Sequence, residues 1–358
     1  MAFFSRSAAA ARHVVFLLTL SVASVVGVRS AGAQSDWSIT KIDGREYVSV
    51  ENVKTFYKFH TAKREGNTIT LSNVTIDPKR KLPVGALMKL QIGSQECLLN
   101  NVKFIFTYSV ESGGSLGLIS RMDLAKLIDP VLRPSFIPNA ENFRTVILDA
   151  GHGGKDPGAT NPLGTEAAYN LSLAFRVKAL LEKSGFKVVL TRSSDQYLSL
   201  QERVELANAV KDEAVFISLH FNSGGRDARG IETFTLSPPG VAHYGSQLKS
   251  GDATARRGNE HDSANIALAT SVHGSILRTF KKEEVNSFDR GIKRARFSVL
   301  SGVRHPAILF EGGFMSHPYE ARLINHERYQ TYLATSIGTA VEKYRDAVTR
   351  KAVAKSEP

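Results

Sequence analysis

The chain holds a single cysteine, Cys97, a single tryptophan, Trp37, and only four methionines in 358 residues. One cysteine excludes an intramolecular disulfide, so stability has to come from a packed core. In "QECLLNNV" that cysteine sits in an apolar strand, the setting of a buried, inert thiol. Long hydrophobic runs are also missing. The longest, Val14–Val28, is 15 residues, short of the ~20 that span a bilayer. Arg6 and Arg12 precede it and "SAGAQ" follows, with Ala31 and Ala33 at small-residue positions. This order marks residues 1–33 as a cleavable secretory signal. It predicts a mature chain from Gln34 that is secreted, periplasmic or wall-associated, with no stable membrane insertion after cleavage. Acidic charge is scarce: 34 Asp and Glu face 46 Lys and Arg, a net +12. Without the three arginines of the first 33 residues, which contain no acid, the balance is +9. Such a balance favours an anionic partner. The cations are scattered and lack aromatic interleaving, which speaks against nucleic acid.

Two textures divide the rest. Between Trp37 and Pro130, short β-rich runs such as "EYVSV", "TITLSNVTI", "LMKLQI" and "VKFIFTYSV" predict strands. The helical pieces "VENVKTFYKF" and "SRMDLAKLID" interrupt them, and "VSVENV" at 48–53 repeats in character as "ISRMDL" at 119–124. Pro130, Pro134 and Pro138 then read as a semi-rigid linker. From Arg144 strands alternate with amphipathic helices, which predicts an α/β fold: a mostly parallel twisted sheet with helices on both faces. The expected division is a signal over 1–33, a smaller β-rich α+β module over 34–130, a linker over 131–142, a catalytic domain over 143–348 and a disordered tail over 349–358.

Three apolar strands of the second part end on a polar residue. "VILDAGH" ends at His152, "VFISLH" at His220 and "AILFE" at Glu311. Ligands of open α/β sheets collect beyond the carboxyl ends of strands, so the three are expected at one edge. The glycines around His152 do not make a phosphate loop. Lys155 is followed by Asp156 where a P-loop has Ser or Thr, and Asp156 also stands where a dinucleotide fingerprint needs glycine. Two imidazoles and a carboxylate instead match a catalytic zinc site with one open position, Glu311 being a possible ligand on this reading. Glu166 by itself reads as a first-turn acid complementing a helix dipole. Glu232 is a candidate for orienting a ligand histidine, Asn222 for touching substrate, and Arg290 and Lys293 for meeting substrate carboxylates.

The motifs "ILDAGHGGKDPGA", "EAAYNL", "TRSSDQYLSLQERVELAN", "FISLHFN", "GIETF", "DRGIKRARFSVL" and "ILFEGGFMSH" resemble the zinc-dependent N-acetylmuramoyl-L-alanine amidases that cut peptidoglycan. The resemblance runs from about Arg144 to Tyr344. It implies one zinc ion on His152, Glu166 and His220, with Glu311 as the catalytic base rather than a ligand. It departs from the family at Ala167 and Ala168, where polar residues are frequent, and at His317, where Asn is common. "GREYVSVENV" and "GGSLGLISRMDL" are similar to the copper-amine-oxidase-N-terminal-like modules of secreted bacterial wall proteins. This implies wall binding or spacing without copper chemistry. The expected partner is peptidoglycan, with no obligatory activator: Pro238, Pro239 and the glycines of the 237–264 loop disfavour a helix blocking the metal. The alternatives are a zinc peptidase or deacetylase acting on another wall amide, and a non-catalytic wall-binding regulator. The second part alone is expected to carry the turnover.

Overall fold

The computed structural model describes residues 37–349 except 80, 82, 139, 141 and 142. The expected signal, and residues 350–358 of the expected tail, lie outside the described residues. Strands β1 (Ile39–Ile42) and β2 (Arg45–Ser49) form an antiparallel pair, and helix α1 (Val50–Phe56) follows with Ser49 as its N-cap. Four strands then form an antiparallel meander: β3 (Thr61–Glu65), β4 (Thr68–Ser72), β5 (Leu87–Gln91) and β6 (Glu96–Leu99). Strand β7 (Val102–Ile105) closes it against β6. Their alternating burial puts Ile69, Leu71, Met88, Leu90, Cys97 and Leu99 in the core. Burial pushes the Cys97 thiol pKa far up, so it stays protonated. Strand β8 (Leu118–Ser120) pairs with β2, and Ser120 caps the helical stretch over 121–132 as Ser49 caps α1. The faint sequence repeat is therefore a repeated strand-to-helix turn with a serine at each junction.

The second texture supplies β9 (Thr145–Ala150), α2 (Glu166–Lys183), β10 (Lys187–Leu190) and α3 (Leu200–Ala209). After these come β11 (Ala214–Asn222), β12 (Ile231–Leu236), α4 (Asp262–Lys282), β13 (Asp289–Ala295), β14 (Ala307–Phe314), α5 (Pro318–Asn325) and α6 (Glu327–Thr349). In the order β10-β9-β11-β14-β12-β13 all pairings are parallel except β14 with β12. Helices α2, α4 and α6 cover one face over Leu173, Val177, Val272 and Ile337, while α3 covers the other over Ile147, Phe216 and Leu309. The fold is the mixed α/β arrangement expected, with a β-rich N-terminal part.

The two parts are more closely joined than the proline spacing suggests. β13 pairs in parallel with β7 at Ile292 and Phe104, so one sheet of eleven strands runs through both. Arg294 of β13, 5% exposed, donates to Thr107 Oγ1 and the Lys126 carbonyl and lies 3.8 Å from Asp123. The first part of the expected linker, residues 131–136, is itself docked. Pro130 and Pro134 open short helical turns, where a missing N–H costs nothing. Arg133 pairs with Asp129 and stacks over Phe56 and Phe136.

Candidate metal centre

Strand β9 is buried throughout, and Gly151 follows it into a tight loop. A Cβ on Gly151 would sit 2.1 Å from the His220 ring, and one on Gly158 would meet Glu166 and His152 at 2.6 and 2.7 Å. The glycines thus leave room for imidazoles and a carboxylate to converge. His152 takes a left-handed backbone (φ +60), held by Arg203, which donates to its carbonyl at 2.8 Å. Arg192 donates to the carbonyls of Ala150, Gly151 and Ala167, tying the His152 loop to the first turn of α2. Arg203 also pairs with buried Asp149 at 2.7 Å. These two buried arginines were not singled out from the sequence, although both lie in the quoted "TRSSDQYLSLQERVELAN".

Glu166 opens α2, after the N-cap Thr165, and is 5% exposed. Its Oε2 lies 3.2 Å from His152 Nε2 and its Oε1 2.9 Å from His220 Nδ1. Burial favours its neutral form, but the bonds to His152 and His220 outweigh that and hold the carboxyl well below its usual range. One donor atom each from His152, Glu166 and His220 lie within 4.8 Å of one another. Two imidazole nitrogens and an ionised carboxylate are a nitrogen–oxygen set suited to zinc. His152 Nδ1 is bonded to Asp156 Oδ2 at 2.8 Å, which fixes the ring.

Glu311 stands directly beside His220 in the β11–β14 register and beside Glu232 in the β14–β12 register. Its Oε2 is sealed from solvent without a hydrogen-bond partner. Burial, then the nearby Glu166 and Glu232, raise its pKa well above the ordinary carboxylate value. The structure therefore gathers His152, Glu166, His220 and Glu311 at one sheet edge. Glu232 does not orient a histidine. It accepts from Asn222 Nδ2 at 2.6 Å, from Arg290 at 3.0 Å and from Lys293. Asn222 consequently faces Glu232, and His317 caps α5 by accepting from the amides of Tyr319 and Glu320. The loop from Ser237 is wrapped on Arg296, which donates to the carbonyls of Ser237, Pro238, Val241 and Asp252. Among the described residues it forms two short 3-10 turns before α4 and no α-helix.

Residues 146–343 match the family model described as N-acetylmuramoyl-L-alanine amidase. The chain is 30% identical over 203 residues to the uncharacterized protein YqiI of Bacillus subtilis, across 57% of this chain and 85% of that one. It is 31% identical over 219 residues to the N-acetylmuramoyl-L-alanine amidase AmiC of Neisseria meningitidis serogroup B, across 56% of this chain and about half, 52%, of that one. Among solved structures, the N-acetylmuramoyl-L-alanine amidase of Clostridium difficile 630 is 33% identical across 57% of this chain and 98% of that one, with a TM-score of 0.47. With its family match covering more than half of its length, the chain belongs to the N-acetylmuramoyl-L-alanine amidases.

Proposed function

We propose that the chain hydrolyses the amide joining the lactyl group of N-acetylmuramic acid to L-alanine in peptidoglycan, with one zinc ion on His152, Glu166 and His220 and with Glu311 as the base. The observation that carries the reading is the convergence of His152, Glu166 and His220 beside a carboxylate whose inner oxygen has no partner. Bound there, zinc would polarise an amide carbonyl and lower the pKa of a water toward ~7. Glu311 takes the proton of the attacking water and returns it to the departing nitrogen, which leaves poorly as an anion. Asp156 keeps the His152 ring turned toward Glu166.

The chain acts outside the cytoplasm after its signal is removed, and among the described residues no helix is long and apolar enough to cross a membrane. The 34–130 module is read as a wall-binding element, and the full chain is expected to turn over without an activator. Digestion of purified sacculi by the full chain tests the assignment. Released intact stem peptides with unmodified glycans are expected. Shortened stems or free acetate would favour a peptidase or deacetylase and remove the amidase reading.

A further inference from the structure

We propose that the polar cleft where the N-terminal strands meet the catalytic sheet is a subsite for a carboxylate-bearing peptide, the acidic stem of the substrate; this rests on the amidase reading. The cleft has a volume of about 400 Å³ and is lined by residues of both parts, among them Lys103, Tyr244, Phe288, Arg290 and Lys293. It continues the metal centre along the same sheet. His220 pairs with Glu311, Glu311 with Glu232, and Phe234 with Lys293. Because side chains alternate along strands, His220, Glu311, Glu232 and Lys293 share one face across four neighbouring strands. On β7 the pairing of Ile292 with Phe104 puts Lys103 on that face as well. At about 4.8 Å per strand, β13 lies ~10 Å and β7 ~14 Å from Glu311. An extended peptide advances ~3.3–3.6 Å per residue. A stem starting at the scissile amide therefore reaches the cleft within its first three or four residues.

Four cations, Lys103, Arg229, Arg290 and Lys293, line the cleft against three acids, Glu96, Asp227 and Asp289, of which Glu96 and Asp289 are already engaged. One oxygen of Glu232 serves both Arg290 and Lys293, so a single carboxylate faces two cations. Arg290 uses only its Nε on Glu232; its two terminal nitrogens have no acceptor among the described residues. A register irregularity in the β12–β13 pairing falls at Arg290 and Gly291, which lets Arg290 and Lys293 converge on one acceptor. Asp289 cannot neutralise the pair. It is occupied by His273 and by the amides of Lys103 and Gly291. Lys103 Nζ faces only solvent-exposed Glu96, at 3.3 Å. Tyr244 and Phe288, 45% and 55% exposed, present rings beside these cations, suited to the apolar part of a peptide.

The test uses the full-length chain and two tripeptides of alanyl-glutamyl type, one with free carboxylates and one with them amidated, neither containing a muramoyl amide. Calorimetry should show the free acid binding at least about tenfold tighter, the scale of one charge-assisted hydrogen bond. Arg290→Gln and Lys103→Gln should each weaken the acid by about tenfold and draw the two affinities together. On a soluble muramoyl-peptide the same variants should raise KM and leave kcat little changed. Equal affinities for the two peptides, no binding of the acid, or variants that bind it as the parent does would overturn the proposal. A chain that binds the acid selectively yet leaves the muramoyl amide intact would refute the amidase reading and keep the cleft; a chain that cuts without discriminating would remove the cleft alone.

Discussion

Replacing His152 by alanine removes a donor from a loop in which Gly151, Gly153 and Gly154 offer no side chain in exchange. Metal content and activity should fall together in that variant. Glu311→Gln keeps the volume of the side chain but cannot take a proton. It should retain near-stoichiometric zinc while losing roughly 10²- to 10⁴-fold in rate. Metal analysis beside turnover separates the two roles, and a zinc-depleted Glu311→Gln protein would make Glu311 a ligand. At this scale the sequence was partly legible. His152, His220 and Glu311 each terminate an apolar run, so their common edge followed from strand ends alone. Glu166 did not: a glutamate after a threonine cap looks like a helix start, and only the fold of the 151–165 loop carries it to the histidines. Glu232 was misread because its cationic partners, Arg290 and Lys293, sit about 60 residues away on the neighbouring strand.

Strand β9 carries the site on a buried ion pair. Asp149 accepts from Arg203 at 2.7 Å and from the hydroxyls of Thr191 and Ser218. Burial opposes its charge, but Arg203 and the two hydroxyls prevail and hold its pKa below the ordinary 3.8. The sign follows directly: a depressed pKa contributes stability that is complete above the unfolded-state value and is lost as pH falls through the folded one. Asp149→Asn strands the Arg203 guanidinium and should cost about 3–5 kcal/mol at neutral pH. In urea titrations the gap between parent and variant should be constant down to about pH 5 and narrow below the ordinary aspartate range. A gap independent of pH would show that the ion pair contributes nothing specific. Neither arginine of this strand's support was legible, because a guanidinium that binds backbone carbonyls leaves no periodic mark in a sequence.

For the molecule as a whole, the proline spacing and the change of texture near residue 140 suggested separable parts. The pairing of β7 with β13 links residues almost two hundred positions apart, which no local pattern announces. A chain begun at Pro138 would lack Thr107 and Lys126, the hydrogen-bond partners of Arg294, and would uncover the flank of β13. Its thermal midpoint should fall by on the order of 10 °C, the effect of losing a few kcal/mol in a domain of this size; an unchanged melt would make the two parts independent. The shared sheet also moves its open flank from β13 to β3, whose sequence "TAKRE" sets Lys63, Arg64 and Glu65 along the outer strand. An uncovered strand is a template for pairing with a second chain, and charged side chains on it discourage that. The N-terminal strands therefore end this flank of the sheet in Lys63, Arg64 and Glu65 and turn β13, with its buried Arg294, from an edge strand into an interior one.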